Sequence, residues 1–174
     1  MTKILRNIIL SLVAVFTFAV AGCSCFNFTE TYSGHGMSIT MAKGFEETRY
    51  IGYDYVLQKD DAMMLAVKES FEGNFNATTW TLEDYTDAIQ DENLTNHPTH
   101  VRENEGYIYY TYTASAEGNT YFYLITTHQS SDAFWLIQFF CFIEDKDSYE
   151  EKFLTWADSV TFDADQTTNQ GENV

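Results

Sequence analysis

The run Ala133-Phe134-Trp135-Leu136-Ile137-Gln138-Phe139-Phe140-Cys141-Phe142-Ile143 limits what this chain can fold into more than any other segment. Its aromatic and branched residues suit a strand. As a strand it sends Phe134, Leu136, Phe140 and Phe142 one way, and Trp135, Ile137, Phe139, Cys141 and Ile143 the other. Only Gln138 interrupts the apolar character. A strand apolar on both faces must be covered on both faces, so this one belongs in the middle of a layered structure.

The rest of the chain supplies the other parts of such a structure. Alternating segments at Ser38–Met41, Tyr50–Leu57, Met63–Phe71, Tyr107–Ser115 and Thr120–Thr127 read as further strands. The turns Lys59-Asp60-Asp61, Glu117-Gly118-Asn119 and Gln129-Ser130-Ser131-Asp132 join neighbours closely, which implies antiparallel pairing. Two segments change to helical spacing. Over Thr81–Glu92, Leu82, Tyr85 and Ile89 share one face while Glu83, Asp84, Asp87 and Asp91 occupy the other, and Thr81 with Asp84 forms a capping signal. Tyr149, Phe153, Trp156, Ala157 and Val160 form a second stripe, entered through Asp147-Ser148-Tyr149-Glu150 as a cap. The expected fold is α+β, an antiparallel sheet of about six strands covered by helices on both faces, an α/β/α sandwich.

The order of strand hairpin, helix, three-strand meander and helix resembles the PsbP-like fold, which includes DcrB-like bacterial lipoproteins. The residues that carry the resemblance are Ser38-Ile39-Thr40-Met41 followed by Gly44-Phe45, Leu82-Glu83-Asp84-Tyr85 opening the first helix, and the closing Phe153-Leu154-Thr155-Trp156-Ala157-Asp158-Ser159-Val160-Thr161-Phe162. Ala42-Lys43 stands where the family often has a proline. The resemblance implies a non-enzymatic accessory or interaction role outside the cytoplasm, and it brings no common catalytic set.

The first residues address location. Lys3 and Arg6 precede an apolar run from Ile8 to Val20, shorter than the about 20 residues a membrane-spanning helix needs. This reads as a signal peptide. Val20-Ala21-Gly22-Cys23 resembles the lipobox of bacterial lipoproteins, which implies cleavage between Gly22 and Cys23 and acyl chains, palmitate among them, on Cys23. The expected organisation is a lipoprotein signal peptide over residues 1–22, a lipidated cysteine and tether over 23–36, a globular domain over 37–162, and a disordered acidic tail over 163–174. On this reading the protein sits on the extracytoplasmic side of the cell membrane, and the Asn-x-Ser/Thr triplets at Asn27, Asn76 and Asn93 carry no glycan.

Charge narrows the partners. With 26 acidic residues against 9 basic ones, and a formal net charge of −17, the chain repels nucleic acid and anionic wall polymers. It attracts basic proteins or cations. The acidic helix face is the sharpest instance, because Glu83/Asp87 and Asp87/Asp91 are like-charge pairs four residues apart that each cost about 0.2–0.5 kcal/mol. Glu83, Asp84, Asp87 and Asp91 are therefore the candidate face for a basic envelope protein or for divalent cations, and a plain solvated surface is the simpler alternative.

No other group of residues assembles a site. Cys141 lies in an apolar stretch that keeps a thiol inert, and Cys25 falls in the tether. His97 and His100 flank Pro98, and on extended chain their rings face opposite sides. Asp145–Glu151 has acids like a calcium loop, but Glu150 and Trp156 stand where the glycine and bidentate glutamate belong. Tyr107-Ile108-Tyr109-Tyr110-Thr111-Tyr112 could offer rings to a sugar, though core packing accounts for them as well. The expectation is a lipid-anchored, non-catalytic accessory protein with no cofactor and no metal. The alternative is a lipoprotein that binds a small ligand or divalent metal.

Overall fold

In the computed structural model, the structure describes residues 28–72, 79–93 and 97–163. The expected signal peptide, Cys23, Cys25, Asn27, Asn76 and the tail beyond Asp163 lie outside those residues. The described chain forms two antiparallel sheets and two α-helices.

The larger sheet has seven strands. They are β3 (Glu46–Thr48), β4 (Tyr55–Lys59), β5 (Ala62–Ser70), β6 (His100–Arg102), β7 (Tyr107–Ala116), β8 (Asn119–Gln129) and β9 (Ala133–Phe142). Their spatial order is β3-β4-β5-β9-β8-β7-β6, with antiparallel pairing throughout. β9 lies at the centre, as its two apolar faces require, with Gln138 paired to Leu65 on one side and Ile125 on the other. The smaller sheet is β1 (Thr29–Gly34), β2 (Met37–Ala42) and β10 (Thr161–Phe162), in the order β1-β2-β10. The helices are α1 (Leu82–Glu92) and α2 (Lys146–Asp158), the latter entered through a short 3-10 turn at Ile143–Asp145.

Two apolar clusters divide along the faces of the large sheet, as strand alternation demands. One holds Met64, Ala66, Phe122, Leu124, Trp135, Ile137, Phe139 and Cys141 with Tyr149, Phe153 and Trp156 of α2 and Met37, Ile39 and Met41 of β2. The other holds Met63, Leu65, Val67, Tyr110, Tyr123, Phe134, Leu136 and Phe140 with Tyr85 and Ile89 of α1. The antiparallel α+β architecture is as expected. The cover differs from a simple sandwich, because the small sheet shares one face with α2 and α1 is a short helix on the other.

The tether expected over 23–36 is corrected by β1. Thr29-Glu30-Thr31-Tyr32-Ser33-Gly34 pairs residue by residue with β2, and the packed body begins at Thr29 rather than at residue 37. This edge strand is mostly exposed, so it shows no apolar alternation in the sequence. Tyr50 to Asp54 form a loop before β4, with Gly52 at φ +94, where a strand was expected from Tyr50. The second helix starts at Lys146, so Asp147 lies in its first turn and is not the cap. Asp145 occupies the N-cap position without a side-chain hydrogen bond to the helix.

Candidate functional site

α1 positions the candidate acidic face, and its own sequence fixes it. Thr81 sits at the N-cap in extended conformation, with its hydroxyl accepting from the Asp84 backbone N–H at 3.1 Å. In return the Asp84 carboxylate accepts from the Thr81 backbone N–H at 2.8 Å and from the Thr81 hydroxyl at 2.9 Å. This reciprocal box satisfies donors that a helix start leaves free. Those two bonds hold the Asp84 carboxyl below its ordinary pKa.

The underside of α1 is anchored by more than its apolar stripe. Tyr85 and Ile89 are buried and Leu82 is half-buried, as the spacing requires. Tyr85 stacks on Phe134 with ring centroids 4.6 Å apart. Thr86 and Gln90 are buried as well. The Thr86 hydroxyl lies 2.7 Å from that of Thr127 on β8, and the Gln90 side-chain carbonyl accepts from the His97 backbone N–H. Sequence reading missed both residues, because a polar side chain on the inner face looks like a gap in the stripe. Their signal was the four-residue spacing of Leu82, Thr86 and Gln90 on one line of the helix.

The upper face is as expected in exposure and corrected in composition. Glu83, Asp84, Asp87 and Asp91 are all exposed. Among the described residues, no lysine or arginine pairs with any of them. Asp84 is committed to the N-cap, which leaves Glu83, Asp87 and Asp91 as the free carboxylates of the face. At the far end no basic residue offsets the helix dipole. Asn93 does part of that work, donating from its side chain to the Ile89 carbonyl at 2.6 Å.

The remaining chemistry-bearing groups are built into the packing. His97 stacks on Tyr110 and Tyr112, whereas His100 stacks on Tyr109, so the two rings lie on opposite faces of β7. His128 is buried, 2.9 Å from the Thr126 hydroxyl, and burial pushes its pKa down to about 3. Burial likewise pushes the Cys141 thiol up to about 12. Tyr107 and Tyr110 are buried and Tyr109 and Tyr112 half-buried, so this strand spends its rings mainly on the core. Among the described residues, no group of three or more His, Cys, Asp or Glu is arranged to hold a metal ion.

No family model matches the chain, and no curated protein matches it. Among solved structures, it is similar to the solution structure of cyanobacterial PsbP (CyanoP) from Synechocystis sp. PCC 6803. The TM-score is 0.44 and the identity 11%, over 83% of this chain and 98% of that one. A likeness of that size carries neither activity nor partners across.

Proposed function

We propose that this chain is a lipid-anchored, extracytoplasmic accessory protein of the bacterial envelope, of PsbP-like architecture, that acts by binding and not by catalysis. The observation that carries the binding role is the unpaired acidic face of α1. Its carboxylates Glu83, Asp87 and Asp91 are exposed on a helix whose opposite face is packed down by Tyr85, Thr86, Ile89 and Gln90. Such a face is rigidly presented and selects a basic partner. The non-catalytic reading is supported by where the other reactive groups sit. His128 and Cys141 are buried with their pKa values moved away from neutrality, and each exposed histidine ring is engaged by a neighbouring side chain. The anchoring part rests on Val20-Ala21-Gly22-Cys23.

Partner capture from crosslinked envelopes tests the binding role. Glu83→Lys, Asp87→Lys and Asp91→Lys together leave the Thr81–Asp84 cap intact. The triple variant is expected to lose a captured basic protein, and wild-type capture is expected to weaken as salt rises. Equal capture by both chains would return the face to plain solvated surface. A melting temperature raised by calcium in wild type and not in the variant would favour divalent cations as the ligand instead.

A further inference from the structure

The end of the molecule where the packed chain begins differs from the rest of its surface. Phe28 stands one residue before β1 and is 61% exposed. Its carbonyl accepts from the Lys43 backbone N–H at 2.9 Å, which extends the β1–β2 ladder by one step. The start of the chain is thereby held against the turn that follows β2. Lys43 and Gly44 of this turn are exposed. Gly44 has φ +96°, a left-handed conformation that glycine adopts without strain. A Cβ there would come 3.8 Å from Cε of Lys59, the last residue of β4. Phe28, Lys43, Gly44 and Lys59 therefore form one continuous patch.

The two lysines are held differently from other cations of the chain. Lys68, Arg102 and Lys146 pair with Asp132, Asp158 and Glu150. Lys43 and Lys59 enter no ion pair among the described residues, although Glu46 and Asp60 lie close to them in sequence. Each ammonium lies over a ring instead, Lys43 at 5.9 Å from the Phe28 centroid and Lys59 at 6.0 Å from that of Phe45. An exposed ring flanked by unpaired ammonium groups suits a boundary where apolar material meets phosphate.

We infer that this patch docks on the membrane surface, with Phe28 between headgroups and acyl chains and with Lys43 and Lys59 on phospholipid phosphates. The inference rests on the anchoring reading and goes beyond it. Phe28 is five residues on from Cys23, at most about 18 Å of extended chain, so a lipidated Cys23 keeps the patch within reach of the headgroups. The formal charge of −17 does not forbid contact, because salt screens distant acids within about 8–10 Å and leaves the local charges to decide. The carboxylates of α1 stand on the opposite face of the large sheet from β1-β2-β10. Two points of attachment fix an orientation that a single tether leaves open. Ile51, in the loop before β4, is then carried at the far end of the strand that Lys59 closes.

The mature chain, purified from its own membrane and placed in vesicles of phosphatidylglycerol and phosphatidylcholine, tests the docking. A photoreactive p-benzoylphenylalanine replaces either Phe28 or Ile51, the latter 96% exposed and serving as the apolar control. The probe at Phe28 is expected to form a phospholipid adduct, and the probe at Ile51 is not. Lys43→Glu is expected to lower the Phe28 adduct about fivefold, and Lys43→Glu with Lys59→Glu to lower it further. Both variants should melt with wild type, since neither lysine is paired. The mass of the N-terminal peptide reads the acyl chains on Cys23 separately. An unacylated Cys23 overturns the anchoring reading and the docking with it. An acylated chain whose Phe28 adduct is no stronger than that at Ile51, or is unchanged by Lys43→Glu, overturns the docking alone.

Discussion

At the scale of single residues, His128 shows how burial turns a reactive group into a structural one. Its ring lies 4.9 Å from the Tyr107 ring and 5.9 Å from the Phe162 ring, between β8, β7 and the short β10. Desolvation lowers its folded pKa to about 3 from the ordinary 6.5. Between those values the unfolded chain binds a proton that the folded chain does not, so stability is fully present above pH 6.5 and falls as pH drops toward 3. The melting temperature should therefore decline from pH 6.5 down to about pH 4.5, above the range where most carboxylates titrate. His128→Gln should flatten that part of the profile, and an equal slope in the variant would show that the loss arises elsewhere. Neither the burial nor the ring contacts of His128 were legible in the sequence, where only Thr126 and Thr127 before it and Gln129 after it are its neighbours. Both depend on β7 and β10, which reach it from distant parts of the chain. Cys141 was legible, because its immediate neighbours alone make the setting apolar. Gln138 reads only as an interruption of an apolar strand. It is 2% exposed, and its side-chain oxygen has no hydrogen-bond partner among the described residues.

At the scale of elements, α1 separates a structural acid from free ones. Asp84→Lys removes the acceptor for the Thr81 backbone N–H and places positive charge at the helix start, so it should lower the melting temperature. Asp87→Lys relieves two like-charge pairs and should hold or raise stability, by about 0.2–0.5 kcal/mol per pair. Thermal melts of the two single variants check this, and equal effects would mean that the capping box contributes nothing. Elements whose signals are local were readable in this way. The Thr81–Asp84 cap, the Glu117-Gly118 turn and the stripe of Tyr149, Phe153 and Trp156 each follow from residues within a few positions. β1, β3 and β6 were not readable as strands. β1 is largely exposed and β3 and β6 are three residues long, so none carries an apolar pattern, and their pairing is decided by neighbours already in place.

At the scale of the whole molecule, the central position of β9 was legible and the second sheet was not. Two apolar faces demanded cover, but the sequence does not say that a strand pair from the chain start and Thr161–Phe162 near its end would supply part of it. That arrangement bears on the anchor. With β1 starting at Thr29, the segment between Cys23 and the packed body is only a few residues long, at about 3.3–3.6 Å per residue even when fully extended. A lipidated Cys23 would hold the domain directly against the membrane, with the α1 face carried on the side of the large sheet opposite β1-β2-β10. The most direct test of this account is metabolic labelling with a palmitate analogue, followed by membrane fractionation, for wild type and Cys23→Ala. The account predicts a labelled, membrane-bound mature wild type, and an unlabelled Cys23→Ala chain that keeps its first 22 residues. A Cys23→Ala chain that matures to the wild-type size and remains with the membrane would contradict it.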